Sequence, residues 1–158
     1  MTITSRVPET SASGLRLDDY LPYRLSVASN AVSGLIARAY EDRFGLTIPQ
    51  WRLICVLAED LALSQVDIVA RTGMDKVTVS RAAQGLLNRR IVSRSEHKRD
   101  GRSHMLALTK EGAHLHSEIA PLALAYEAAL IAGLAPSEVA MLKRLLSRLQ
   151  GAAQALGG

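Results

Sequence analysis

The stretch Gly73-Met74-Asp75-Lys76-Val77-Thr78-Val79-Ser80-Arg81 decides how the rest of the chain is read. Ahead of it, Ile68, Val69 and Thr72 give a short helix one inward face. Gly73 can adopt the positive φ of a tight turn, and Asp75 can cap a second helix beyond it. That second helix, from about Asp75 to Asn88, sets Val79, Ala82, Ala83, Leu86 and Leu87 on or beside one face at helical spacing. Lys76, Thr78, Ser80, Arg81 and Gln84 are left for the opposite face, close to the positive end of the helix dipole. They are donors and acceptors suited to phosphate oxygens and base edges. The pattern is a helix-turn-helix.

Downstream, Ile91-Val92-Ser93-Arg94 and His104-Met105-Leu106-Ala107-Leu108 read as two short strands around a charged hairpin tip. Asp100-Gly101 is the turn signal, and Lys98, Arg99 and Arg102 cluster there. A cationic wing beside a helix-turn-helix is shaped to straddle a duplex, with the helix in the major groove and the wing over the neighbouring minor groove. Charge follows the same division. From Arg71 to Arg102, nine Lys or Arg stand against three acids, a net of +6, while the whole chain carries +4. Basicity gathered on one surface is the footprint of a polyanion-binding face; spread evenly, it would serve mainly solubility.

With 158 residues, 48% of them hydrophobic and only 4% aromatic, the chain can bury one substantial core built by helix packing. The expected fold is mainly α with a small β-wing. No segment approaches the ~20 apolar residues of a membrane span, and the N-terminus lacks a basic stretch followed by an apolar run, so a cytoplasmic location is expected. A lone cysteine, Cys55, cannot form an internal disulfide.

In chain order, residues 1–16 read as a mobile arm, rich in Ser and Thr. From Asp18 or Asp19 a long helix is expected to about Arg43, its stripe marked by Leu21, Leu25, Ala28, Val32, Leu35, Ile36, Ala39 and Tyr40. Its excess length suggests a partner helix. Gly45 ends that element, and a shorter helix from Pro49 to Glu59 or Asp60 is expected to face Trp51, Ile54, Cys55 and Ala58 inward. Ser64 is a plausible cap for the helix-turn-helix. Thr109 and Glu111 open another long helix towards Gly133, with a kink at Pro121. Pro136 starts the last helix, whose apolar face is Val139, Leu142, Leu145, Leu146, Leu149 and Leu156; Gly157-Gly158 reads as fraying tail.

Enzyme and metal chemistry find no foothold. There is no nucleophile elbow, phosphate loop or dinucleotide fingerprint. His114 and His116 are two apart on a helix and point in nearly opposite directions, while His97 and His104 belong to the wing. No cofactor and no metal are expected. Cys55 lies on an apolar stripe, where a buried structural thiol is the expected role and a redox sensor the weaker alternative.

The order of long helix, short helix, helix-turn-helix, wing and two long helices resembles the multiple antibiotic resistance regulator (MarR) family of bacterial transcription factors. The likeness runs from Tyr20-Leu21-Pro22-Tyr23-Arg24-Leu25 through Leu46-Thr47-Ile48-Pro49-Gln50-Trp51 to Leu134-Ala135-Pro136-Ser137-Glu138. It is densest over Arg71 to Arg81, Asp100-Gly101-Arg102 and Leu106-Ala107-Leu108-Thr109. The resemblance implies a single MarR-type domain, with a winged helix-turn-helix over residues 46–109 and dimerisation helices over 17–45 and 110–158.

It further implies a homodimer on a pseudo-palindromic operator, with half-sites about one helical turn, ~10 bp, apart. Recognition-helix contacts carried over are Lys76, Val77, Thr78, Ser80 and Arg81; Val77 departs from the polar residue common there, and its methyls suit a thymine methyl. Gln84 joins them on the same helix, and Arg94, Lys98, Arg99, Asp100 and Arg102 on the wing, where Asp100 is expected to brace the minor-groove arginine Arg102. Many members are repressors released by small aromatic or phenolic acids. Tyr23, Val27, Asn30, Trp51, Cys55 and His114 are the positions for such an effector, with core packing or solvent the plainer role of each. The competing readings are a helical protein-interaction module and a nonspecific architectural DNA-binding protein.

Overall fold

The computed structural model describes residues 14–96, 99 and 104–158. The expectations for residues 1–13 and for Lys98, Asp100 and Arg102 lie outside the described residues. The chain divides into two compact units, residues 1–34 and 35–158.

In the first unit a 3-10 turn at Leu17–Asp19 precedes α1 (Leu21–Ala37), which crosses into the second unit. The expected helix is therefore shorter at both ends. It does not reach Arg43, because the chain turns over residues 38–40 and restarts as α2 (Glu41–Phe44). The physical reason is burial: Ala39 and Tyr40 sink into the core, and the Leu46 amide bonds back to the Tyr40 carbonyl at 3.2 Å across the short helix. Their apolar character prolonged the helical pattern past the point where the helix stops.

In the second unit α3 (Ile48–Glu59) is central, and its opening is fixed by a reciprocal cap between Thr47 and Gln50. It packs against α4 (Gln65–Thr72), α5 (Lys76–Asn88) and α6 (Lys110–Ile131). Being covered from several sides, α3 buries Trp51, Leu53, Ile54 and Leu57, a wider face than the expected stripe; Cys55 is half-buried and Ala58 is exposed, contrary to expectation. The rest of the core comes from Ile68, Met74, the buried face of α5, and Ile91, Val92, Leu106 and Ile119.

The wing strands β2 (Val92–Glu96) and β3 (His104–Leu108) pair antiparallel, with Val92 opposite Leu108 and Glu96 opposite His104. A third strand, β1 (Leu63–Ser64), adds to β3 to give the order β1-β3-β2. The fold is thus mostly helical with a small antiparallel sheet, a winged helix.

α6 runs unbroken through Pro121 and is capped by Thr109, which accepts from the Gly112 amide at 3.0 Å. α7 (Pro136–Gly157) follows at a bend of 106° and includes Gly157, which the sequence pattern assigned to a fraying tail. Among the described residues no single helix is long and apolar enough to cross a membrane.

Candidate nucleic-acid interface

The helix-turn-helix is assembled from local chemistry. Ser64 and Asp67 cap α4 reciprocally: the Ser64 hydroxyl accepts from the Asp67 amide at 3.2 Å, and the Asp67 carboxylate accepts from the Ser64 amide at 3.0 Å. α4 ends at Gly73, whose φ of 69° lies in the left-handed region. In the turn the Thr72 hydroxyl donates to the Ile68 carbonyl and accepts from the Met74 amide, which closes the loop from within.

Asp75 then caps α5, its carboxylate accepting from the Thr78 amide at 2.8 Å and from the Thr78 hydroxyl at 2.7 Å. These bonds hold the Asp75 carboxyl below the usual carboxylate range. Val79, Ala82, Ala83 and Leu86 are buried, so the rotation of α5 is fixed. Lys76, Val77, Ser80, Arg81 and Gln84 all stand exposed along it. Thr78 is half-buried, and its hydroxyl proton is committed to Asp75, so towards a nucleic acid it can offer only acceptor capacity. Gln84 donates to Asn88 at 2.9 Å one turn on.

Two of the nine cations counted in the sequence have structural work instead. Arg71 bridges back to Glu59 at 2.6 Å and to Asp60, joining α4 to the end of α3. Arg89 donates to the carbonyls of Phe44 and Gly45 at 2.8 and 3.1 Å, fastening the end of α5 to the end of α2. Neither role is visible locally, because the partners lie 11 to 45 residues away in sequence.

The wing is anchored at its base. Thr109 donates its hydroxyl to Arg90 O at 2.7 Å and its amide to Ile91 O at 3.1 Å, and α6 passes so close at Gly112 that a Cβ there would lie 2.1 Å from Ile91 O. Arg94 and Arg99 are exposed along the hairpin.

Of the positions suggested for an effector, Tyr23, Val27 and Asn30 are exposed residues of α1 in the first unit. In the second unit Trp51 is buried and stacks on Tyr40 and on His116, with ring centroids 5.5 Å apart in both pairs. His116, weighed in the sequence only as a metal ligand, is the histidine that meets Trp51. His114 is exposed beside Glu118 at 3.8 Å. The signal was present in the near-opposite directions of the two histidines, since only one could point inward. Burial pushes the Cys55 thiol up to about 12, with the Glu59 carboxylate adding to it.

The geometry defines a class: a winged helix-turn-helix with a basic outer helix face. Comparison with known proteins adds a family likeness. The MarR family model matches residues 44–103. A MarR/EmrR family regulator from Acinetobacter sp. ADP1 superposes with a TM-score of 0.82 at 25% identity, covering 89% of this chain and 99% of that one. BpsR from Bordetella bronchiseptica, whose DNA binding is regulated by 6-hydroxynicotinic acid, superposes at 0.75 with 27% identity over 82% of this chain and 98% of its own. A mutant MarR from E. coli solved with operator DNA shares the fold at 0.75, with 21% identity over 82% and 92%. Comparison with curated protein sequences finds no match. Residues 44–103 thus match the MarR family model, and the chain shares its fold with MarR-family transcriptional regulators.

Proposed function

We propose that this regulator acts as a homodimer that binds a pseudo-palindromic operator through α5 and the wing, represses transcription, and is released by a small aromatic or phenolic acid. The observation that carries the reading is the division of α5: one face is buried and rotationally fixed, and Lys76, Ser80, Arg81 and Gln84 stand exposed along the rest. A buried stripe of this kind holds the polar residues at defined positions, as base readout requires. Val77 is 59% exposed at the same end, which supports its contact with a thymine methyl.

Dimerisation is supported by apolar side chains that the single chain leaves uncovered, including Leu142, Leu145, Leu146 and Leu149 on α7. A two-fold dimer presents two recognition helices and reads two half-sites. Release by a ligand is supported by BpsR, whose DNA binding responds to 6-hydroxynicotinic acid. An effector that binds the non-DNA state more tightly must weaken DNA binding by the same factor.

The test is selection of duplexes from a random pool by the purified protein at near-physiological salt, then titration of aromatic acids against the recovered site. A two-fold sequence with half-sites ~10 bp apart is expected. Arg81→Ala should lower discrimination among sites by about 1–3 kcal/mol, and Arg102→Ala should weaken all sites alike. Recovery of unbiased sequence would leave architectural binding or protein docking as the better account.

A further inference from the structure

A cavity of about 190 Å³ lies between the start of α4 and the inner face of the wing, lined by Ser64, Gln65, Val66, Arg94, His104 and Leu106. Strand register explains its make-up. Arg94 pairs with Leu106 and Glu96 with His104, so these four share one face of the hairpin. Near the base that face is core, with Leu106 1% exposed; towards the tip it leaves the core and turns polar. The cavity is thus lined by the exposed Val66, the buried Leu106 and the polar Gln65, Arg94 and His104. Pockets for drug-sized ligands run to roughly 300–1,000 Å³, so this one is undersized for a free effector.

Its position suggests a different occupant. When a recognition helix fills a major groove and the wing covers the adjacent minor groove, the single sugar–phosphate strand dividing those grooves runs between helix-turn-helix and wing. We infer that this cavity seats one sugar–phosphate unit of that strand, the deoxyribose against Val66 and the phosphate against Gln65 and Arg94, with His104 at the edge.

The inference rests on the DNA-binding function proposed above and adds Gln65 and His104 to its contacts. The start of α4 turns the positive end of its dipole this way, part of it already offset by the Asp67 carboxylate that accepts from the Ser64 amide and hydroxyl, so Arg94 supplies the main attraction for a phosphate. Glu96 sets a negative charge on the tip side, which leaves the phosphate on the side of Arg94 and Gln65.

A backbone seat reads charge and carries no sequence information. The experiment is a fluorescence-anisotropy titration of a mixed-sequence duplex across a potassium chloride series, with wild type, Arg94→Ala and Gln65→Glu. Arg94→Ala should reduce the slope of log K against log salt by about 0.9. Gln65→Glu should weaken binding roughly tenfold, although the new acid suits the helix start and should leave the thermal midpoint unchanged or higher. The sequence recovered by selection should be the same for all three. Retention of wild-type affinity and salt slope by either variant, or a shifted base preference, overturns the seat while leaving DNA binding standing. Failure of the wild type to bind any duplex overturns the parent function, and the seat with it.

Discussion

Two glycines, one in the turn before α5 and one at the start of α6, are required for different reasons, and substitution separates them. Gly73 has a φ of 69° and open space within 4 Å of where a Cβ would stand, so Gly73→Ala should cost only the conformational strain of a left-handed alanine, about 1 kcal/mol. Gly112 sits in an ordinary helix, but its Cβ would meet Ile91 O at 2.1 Å, a backbone atom that cannot swing aside. Gly112→Ala should cost about 3 kcal/mol and loosen the wing base, seen as a larger fall in denaturant midpoint. The first is legible in the sequence, because a turn glycine announces itself locally; the second depends on two segments meeting, and nothing near residue 112 records that.

Cys55 gives a chemical prediction at the same scale. With its thiol raised to about 12, the native protein at pH 8 holds about a thousandfold less thiolate than an ordinary cysteine. Alkylation by iodoacetamide, read out by mass spectrometry, should proceed only as fast as the protein opens. Rapid labelling of the folded protein would return Cys55 to the redox candidates. The raised value also means that this group favours folding below the unfolded thiol pKa and loses that contribution as pH climbs towards 12.

Among the elements, α5 was legible almost entirely and α1 was not. Cap, turn and buried stripe of α5 are set by residues within one or two turns of each other, so the sequence carries them directly. The end of α1 depends on Ala39 and Tyr40 being drawn into a core whose other members come from distant segments. β1 escaped notice because it is only two residues long and gains its strand character from pairing with β3. The α5 cap has a pH signature. The Asp75 carboxyl is lowered in the folded state, so its contribution is present above the unfolded value and is lost as pH falls below about 4. Asp75→Asn keeps a capping oxygen without the charge. Its stability relative to wild type should therefore improve as the solution is acidified through that range, measured by thermal unfolding at stepped pH.

For the whole molecule, the uncovered faces matter most. Met141, Leu142, Leu145, Leu146 and Leu149 of α7 each remain 40–48% exposed in the single chain, and none belongs to the core. Charge placed there should leave the winged domain folded and remove the association. Leu142→Glu combined with Leu146→Glu should sediment as a monomer with unchanged helical circular dichroism and should lose operator affinity, since one half-site is then bound without the other. A double variant that remains dimeric would remove α7 from the proposed interface. In the sequence the dimerisation reading rested on the length of the first helix's stripe and on the family resemblance; the exposed leucines of α7 now add to its support.

The column of Tyr40, Trp51 and His116 has a practical consequence. Trp51 is the chain's sole tryptophan, so tryptophan fluorescence, excited selectively over the tyrosines, is emission from one site, where α6 lays an imidazole against α3. Its spectrum should be blue-shifted while the ring stays dry, and its intensity should respond to any ligand that slides α6 over α3. The molecule thus carries an optical gauge at the junction between a long outer helix and the winged helix, readable without a label.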